Sequence, residues 1–436
     1  MTQICFVSLY AYPLFDSSMV SPFGGSEVRS WLLGVGLSKL PGNEVCFVVF
    51  DHGQPEVEQF GRVKVYRHSY YKSQPGSSTP FAVVSRHLER SPRFPFLKIK
   101  RMKLEMLADL STSLLYPMRS GCTRLLNPRR GTSLLIHDYR IEPSKTRIYE
   151  QVDADVYCGF GVSPLTAEIA TFCHKSQKKF VLFAGSDIDF SLKYRPESRE
   201  VNPCDSQGDI CYYALMHADL ILTQTETQRK LLLERFGKEG VTLRNPVDLS
   251  GSFPRPPEWL NPRKIALWIG KSDQIKRPEI LLQLASVFPE IEFAMVMNRS
   301  DPNIFQAVMQ NKPPNVKVLE WVPLEEGEKL FARAFVLINT SLFEGFPNTF
   351  LQAGKYGVPL LSFQVDPEGF IERNACGIVA QGSFDQFAKG FDLIRSDPAG
   401  HSRFARNIRE YVERNHALED KIEQLNQLLA QWKNNG

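Results

Sequence analysis

Three clusters of residues have the types and spacing to handle a phosphorylated ligand. The densest is Glu344-Gly345-Phe346-Pro347-Asn348-Thr349-Phe350-Leu351-Gln352, which follows an apolar run at 335–339 closed by Asn339-Thr340-Ser341. A carboxylate at the carboxyl end of a strand can accept hydrogen bonds from sugar hydroxyls, and the free N–H groups of a helix starting near Asn348 face an anion. Asn348 and Gln352 share one helical face. The pattern also fits a loop glutamate ahead of an ordinary amphipathic helix.

The second cluster is Gly270-Lys271, closing an apolar run at 265–269, with Lys276-Arg277-Pro278 just before the next helix. Two lysines beside a helix N-terminus can neutralise a diphosphate, or be merely solvated. The third is Gly24-Gly25-Ser26-Glu27 after the first strand. Glycines there let a ligand approach the backbone, or make a plain strand-to-helix turn with Glu27 at the positive end of the dipole. Gly34-Val35-Gly36 lies mid-helix without a third glycine at Lys39, so it reads as close helix packing, not a dinucleotide fingerprint.

These clusters need strands and helices to hold them, and the rhythm of the chain supplies both. Residues 4–9, 26–40 and 44–50 read as strand, helix and strand, and further strands are expected at 155–158, 179–184 and 219–223, with a helix at 225–236. The stretch 70–147 reads as an elaboration with one helix near 95–116. Pro254, Pro256, Pro257 and Pro262 mark a linker. Beyond it, strands at 265–269, 291–297, 316–319, 335–339, 359–363 and 377–379 alternate with helices at 278–288, 303–310, 325–334 and 348–355. The tail from 385 to 432 reads as helices, the last with Leu418, Ile422, Leu425 and Leu429 at helical spacing.

The expected architecture is α/β: two Rossmann-like, doubly wound parallel sheets facing across a cleft, with the ligand at the carboxyl ends of the strands. Its parts are a first domain at 1–250, a linker at 251–263, a second domain at 264–412 and a C-terminal helix at 413–436.

Bulk properties narrow the class. A chain of 436 residues, 43% hydrophobic and 23% charged, has room for two globular domains. Eight scattered cysteines without a Cys-x-x-Cys pair argue against a zinc site or a disulfide framework and fit a reducing, cytosolic location. Nothing at the N-terminus reads as a signal peptide, and no apolar run reaches the ~18 residues of a membrane span. A net charge of +4 does not imply nucleic-acid binding. The charge is nevertheless uneven. Residues 86–103 hold Arg86, Arg90, Arg93, Lys98, Lys100, Arg101 and Lys103 among large apolar residues, which suits either an anionic membrane surface or a solvated basic face.

Taken together, the motifs resemble glycosyltransferase family 4 and the wider GT-B fold over most of the chain. The resemblance rests on Gly24-Gly25-Ser26-Glu27, on the run from Ala218 to Thr225, on Arg244-Asn245-Pro246-Val247-Asp248, on Gly270-Lys271 with Lys276, and on Phe343 to Ala353 with Gly357-Val358-Pro359. It implies a retaining, metal-independent transferase without a cofactor, moving sugar from a nucleotide-diphosphate sugar to a hydroxyl of a glycan or lipid-linked acceptor. Cell-surface polysaccharide or lipopolysaccharide synthesis is the implied setting, on the cytoplasmic side of a membrane. Gly24, Gly25 and Gly270 would approach the donor, and Lys271 and Lys276 would bind its diphosphate. Glu344 would contact the sugar, the backbone from Gly345 through Phe346, Pro347 and Asn348 to Thr349 would hold sugar and phosphate, and Gln352 would face the ribose.

Two departures stand out. Gln352 replaces the second glutamate of the family's Glu, seven residues, Glu pattern, and Cys158-Gly159-Phe160-Gly161 stands where many members carry a histidine. Lys271 also occupies a position more often arginine. Asp187 is a candidate for the acceptor side or a helix-capping aspartate. A non-catalytic nucleotide-sugar-binding or partner protein, and a sugar-nucleotide epimerase, are the rival readings. The epimerase needs acid/base residues beside the sugar, and no convincing set is present.

Overall fold

The computed structural model describes residues 1–19, 21, 23–72, 143–202, 206–250 and 265–431. The basic stretch 86–103, the helix expected near 95–116 and the linker at 251–263 lie outside the described residues.

The first strand, β1 (Thr2–Val7), is apolar and buried at nearly every position, as a parallel strand covered on both faces must be. It is followed by α1 (Gly25–Lys39), β2 (Asn43–Asp51), a hairpin of β3 (Val57–Phe60) and β4 (Val63–Lys72), and α2 (Pro143–Val152). Then come β5 (Val156–Phe160), α3 (Pro164–Ser176), β6 (Lys179–Phe183), α4 (Gly208–Met216), β7 (Leu220–Thr223), α5 (Glu226–Phe236) and β8 (Val241–Thr242). The sheet runs β3-β4-β2-β1-β5-β6-β7-β8, parallel except for the β3–β4 pair. The strand order reverses between β1 and β5, leaving a crevice at their carboxyl ends. Close helix packing is the reason for Gly34 and Gly36. A Cβ on Gly34 would meet the Phe47 ring at 2.5 Å, and one on Gly36 would strike Ile422.

The second sheet is built from β9 (Ile265–Lys271), β10 (Glu292–Asn298), β11 (Val316–Leu319), β12 (Ala334–Asn339), β13 (Leu360–Ser362) and β14 (Gly377–Val379). Between them lie α6 (Pro278–Val287), α7 (Pro302–Asn311), α8 (Leu324–Arg333), α9 (Asn348–Lys355) and α10 (Phe370–Arg373). All pairs are parallel in the order β11-β10-β9-β12-β13-β14, with the reversal between β9 and β12. Side-chain alternation along β9 divides the core. Ala266 and Trp268 join one cluster with Leu281 and Phe391, while Ile265 and Leu267 join the other with Phe350 and Val412.

Three helices close the chain: α11 (Phe384–Ser396), α12 (Pro398–His416) and α13 (Leu418–Gln431). α12 continues through position 413, where the sequence reading begins its separate last helix, and stays with the second sheet. α13 returns to the first, where Leu425 and Leu429 enter the core and Asn43 donates to Asn426 (2.9 Å). Each of those leucines contributes roughly 1.5–3 kcal/mol by burial. At the crossing, the Val247 N–H donates to the His416 carbonyl (2.8 Å) and the Leu418 N–H to the Val247 carbonyl (3.1 Å). Among the described residues, no helix is long and apolar enough to cross a membrane.

Candidate active site between the two lobes

The reversal point of the second sheet lies between the loop after β9 and the loop after β12, and both carry predicted site residues. The first loop is braced from within. The Lys276 N–H donates to Asp273 Oδ1 (2.8 Å), and Thr340 Oγ1 donates to the Lys276 carbonyl (2.6 Å) while accepting from Trp268 Nε1 (2.9 Å). Arg277, in the left-handed region at φ 46°, ties the loops together. Its guanidinium donates to the carbonyls of Thr340 (2.8 Å) and Ser341 (3.1 Å) and to Gln364 Oε1 (3.0 Å), with Phe363 beneath it.

This bracing brings Lys276 to Glu344. The two form an ion pair through Glu344 Oε1, which also accepts from Ser341 Oγ (2.7 Å). Lys271, at the end of β9, is exposed and makes no side-chain hydrogen bond or ion pair among the described residues. Gly270 is glycine because a Cβ there would lie 2.7 Å from the buried Trp268 indole.

α9 starts at Asn348 with no side-chain cap, so its first N–H groups have no capping partner of that kind. Asn348 reaches the first lobe, donating to the Gly25 carbonyl (2.8 Å) and accepting from Asn245 Nδ2 (3.0 Å). Gly25 permits the approach, since a Cβ would sit 3.0 Å from Asn348 Nδ2. The Gly24 N–H is held by Glu27 Oε2 (2.8 Å) at the start of α1. Thr349 and Gln352 are half-buried, and their side chains have no hydrogen-bond partner among the described residues.

Gly345 and Phe346 have a different environment from their neighbours. The Phe346 N–H donates to Gln224 Oε1 (2.7 Å), and Gln224 Nε2 donates to the carbonyls of Ala184 and Gly185 (3.1 Å each). A Cβ on Gly345 would strike the Gln224 amide and lie 3.0 Å from the Gly185 carbonyl oxygen. The Phe346 ring is buried against Phe370 and His416, and Pro347 is buried as well. These positions, with Asn348, hold the two lobes together; Lys271, Lys276 and Glu344 stand on the loops flanking the reversal point, and Thr349 and Gln352 lie in the first two turns of α9.

Asp187 is half-buried and accepts from Gln228 Nε2 (3.0 Å); burial raises its carboxyl above the usual range. The capping carboxylate of that turn is instead Asp189, which accepts from the N–H groups of Gly185 (2.6 Å), Ser186 (3.2 Å) and Val162 (3.1 Å). Gln224, Asn245, Arg277 and Glu368 build the region without having been singled out as site residues. Three of them stand inside or beside quoted motifs, but their partners are distant in sequence.

Two parallel-sheet lobes, each with its reversal point and joined by a returning terminal helix, define the GT-B glycosyltransferase fold. Residues 263–397 match the family model described as Glycosyl transferases group 1. Similar solved structures include sucrose-phosphate synthase from Thermosynechococcus elongatus (TM-score 0.66, 16% identity, 100% of both chains). Another is TarM of S. aureus (TM-score 0.64, 13% identity, 98% of this chain and 99% of that one). A third is Anabaena Alr3699/HepE (TM-score 0.63, 11% identity, 99% of this chain and 100% of that one). These likenesses show the fold. In sequence, Glycosyltransferase 1 domain-containing protein 1 of Xenopus tropicalis is 23% identical over 172 residues, 37% of this chain. The match spans half the length of that relative.

Proposed function

We propose that this protein is a retaining, metal-independent glycosyltransferase that moves a sugar from a nucleotide-diphosphate donor to an acceptor hydroxyl. The observation that carries the reading is the meeting of Lys276 and Glu344, from the two loops flanking the second sheet's reversal point, beside the start of α9. The family model over the same lobe supports it, as do HepE, solved with UDP and glucose, and TarM, solved with UDP and alpha-GlcNAc-glycerol.

In this reading the donor diphosphate takes Lys276 from Glu344 and adds Lys271. Glu344, released, accepts hydroxyl hydrogens of the donor sugar. As the anomeric C–O bond breaks, negative charge grows on the leaving phosphate, where the lysines and the α9 N–H groups are already oriented; such preorganisation is the main source of rate. The acceptor hydroxyl attacks on the face the nucleotide leaves and passes its proton to the departing phosphate, so no carboxylate pair of the glycosidase kind is required.

A glycan or lipid-linked acceptor in surface-polysaccharide or lipopolysaccharide synthesis completes the proposal, with residues 86–103 touching an anionic membrane. The test is proton NMR of the product sugar with and without EDTA. A retained anomeric configuration, unaffected by chelation, is expected; inversion or loss of activity with EDTA contradicts it. For the membrane contact, exchanging Lys98, Lys100, Arg101 and Lys103 for Ser should reduce sedimentation with anionic liposomes. An unchanged pellet removes it.

A further inference from the structure

Glu368 lies between β13 and β14 in a left-handed conformation (φ 55°, ψ 15°) that a residue with a Cβ seldom adopts. Its side chain is 11% exposed, and both carboxylate oxygens leave the second lobe. Oε1 accepts the N–H of Glu226 (2.6 Å), the first residue of α5, and Oε2 accepts from Arg244 Nη1 (2.7 Å).

Each partner is fixed to the first lobe. The Glu226 N–H is one of the unsatisfied donors of a helix N-terminus, where a carboxylate also meets the positive end of the dipole. Thr225 Oγ1 already serves the Gln228 N–H (3.1 Å), so Glu368 supplies the partner for Glu226. Arg244 follows Leu243, whose N–H donates to the Thr223 carbonyl (2.9 Å) and whose carbonyl accepts from the buried Arg29 (3.0 Å). The neighbouring inter-lobe bonds, Gln224 to Phe346 and Asn348 to Gly25, join neutral groups. Glu368 adds two charge-assisted bonds, a class roughly twice as strong as neutral ones.

We infer that Glu368 is a positioning residue: a latch that sets the donor loop around Glu344 and α9 at its working distance from the Gly24–Gly25 edge. This rests on the transferase reading above. The strained backbone is the cost of aiming a carboxylate out of its own lobe, and glycine would relieve it. The charged donor groups Lys271, Lys276 and Glu344 all belong to the second lobe and only the Gly24–Gly25 backbone to the first, so loss of the latch costs nucleotide binding far less than transfer, which requires both lobes.

The full chain is compared with its Glu368→Gly and Glu368→Gln variants. Inter-lobe distances are read from labels on non-canonical residues at the exposed positions 192 and 393, and UDP affinity and turnover are measured alongside. Glycine should broaden the distance distribution, leave the UDP dissociation constant within about twofold, and lower turnover on the order of a hundredfold through misplacement. Glutamine, which keeps an acceptor for the Glu226 N–H, should recover part of both losses. An unchanged distance distribution in both variants overturns the latch, as does a UDP affinity that falls in step with turnover. If the unaltered protein transfers no sugar, the transferase reading fails, and the distance measurement still decides the latch.

Discussion

Lys276 and Glu344 share an ion pair at the reversal point of the second sheet, and Ser341 holds the same carboxylate oxygen. Each group is therefore compensated before any ligand arrives. A diphosphate can exchange for Glu344 on Lys276, turning one neutral pair into two substrate contacts.

Lys276→Ala and Glu344→Gln should separate these roles. The alanine variant loses a diphosphate contact and leaves a half-buried carboxylate without its cation, so nucleotide affinity and turnover both fall. The glutamine variant keeps an acceptor for Ser341 but makes only neutral bonds to the sugar hydroxyls, so UDP affinity stays within a few-fold while turnover drops by about tenfold. Calorimetry beside steady-state kinetics reads the split. Parallel losses in the glutamine variant would contradict it.

Gly345→Ala tests the contact between the lobes. The added methyl meets Gln224, Gln228 and the Gly185 carbonyl, a backbone group with little freedom to move. A loss of about 1–3 kcal/mol is expected in urea denaturation, as for overpacking elsewhere. A neutral substitution would show that the lobes separate readily at this point.

Gln352 lies on α9 with no side-chain partner among the described residues, so Gln352→Glu adds charge without breaking a bond. If its amide faces ribose hydroxyls, the carboxylate should tighten nucleoside diphosphate binding several-fold, since charged acceptors are roughly twice as strong. Weaker binding in titration calorimetry would place the ribose elsewhere.

His416 makes stability depend on pH. Burial pushes the imidazole from its ordinary 6.5 down to about 3, although Nδ1–H donates to the Asn245 carbonyl (2.7 Å). The unfolded chain takes up a proton near 6.5 and the folded chain does not. Its contribution is therefore complete above 6.5 and is lost as the pH falls from 6.5 toward 3, at about 1.4 kcal/mol per unit. His68, lowered to about 4, adds a parallel loss. In His416→Asn the amide can keep the bond to Asn245. Its stability between pH 6.5 and 5 should fall less steeply by roughly that slope, and identical slopes would show that His416 is protonated in the fold.

Much of the fold was legible because buried parallel strands read as apolar runs. β11, β14 and α9 match their expected limits, and most other second-lobe elements differ by one or two residues. The β3–β4 hairpin was missed: β3 is a short, half-exposed edge strand, Val57–Phe60, with little apolar signal. α2 (Pro143–Val152) straddles the end of the stretch 70–147 read as an elaboration, and its polar first turn hides its start. The last helix was legible as a helix but not by destination, since Ile422, Leu425 and Leu429 would suit either lobe. In the candidate site, loop position placed Lys276 near Glu344. The roles of Gln224 and Glu368 were hidden because they depend on partners more than a hundred residues away, Phe346 and Glu226.

In the proposed reaction the second lobe binds a nucleotide sugar and breaks its glycosyl–phosphate bond. The most direct measurement is release of free nucleoside diphosphate when the protein is incubated with a panel of nucleotide-diphosphate sugars, beside its Lys271→Ala and Lys276→Ala variants. Slow release from at least one donor, strongly reduced in both variants, is the predicted result. Binding of a donor without release, or release undiminished by either substitution, would contradict the account.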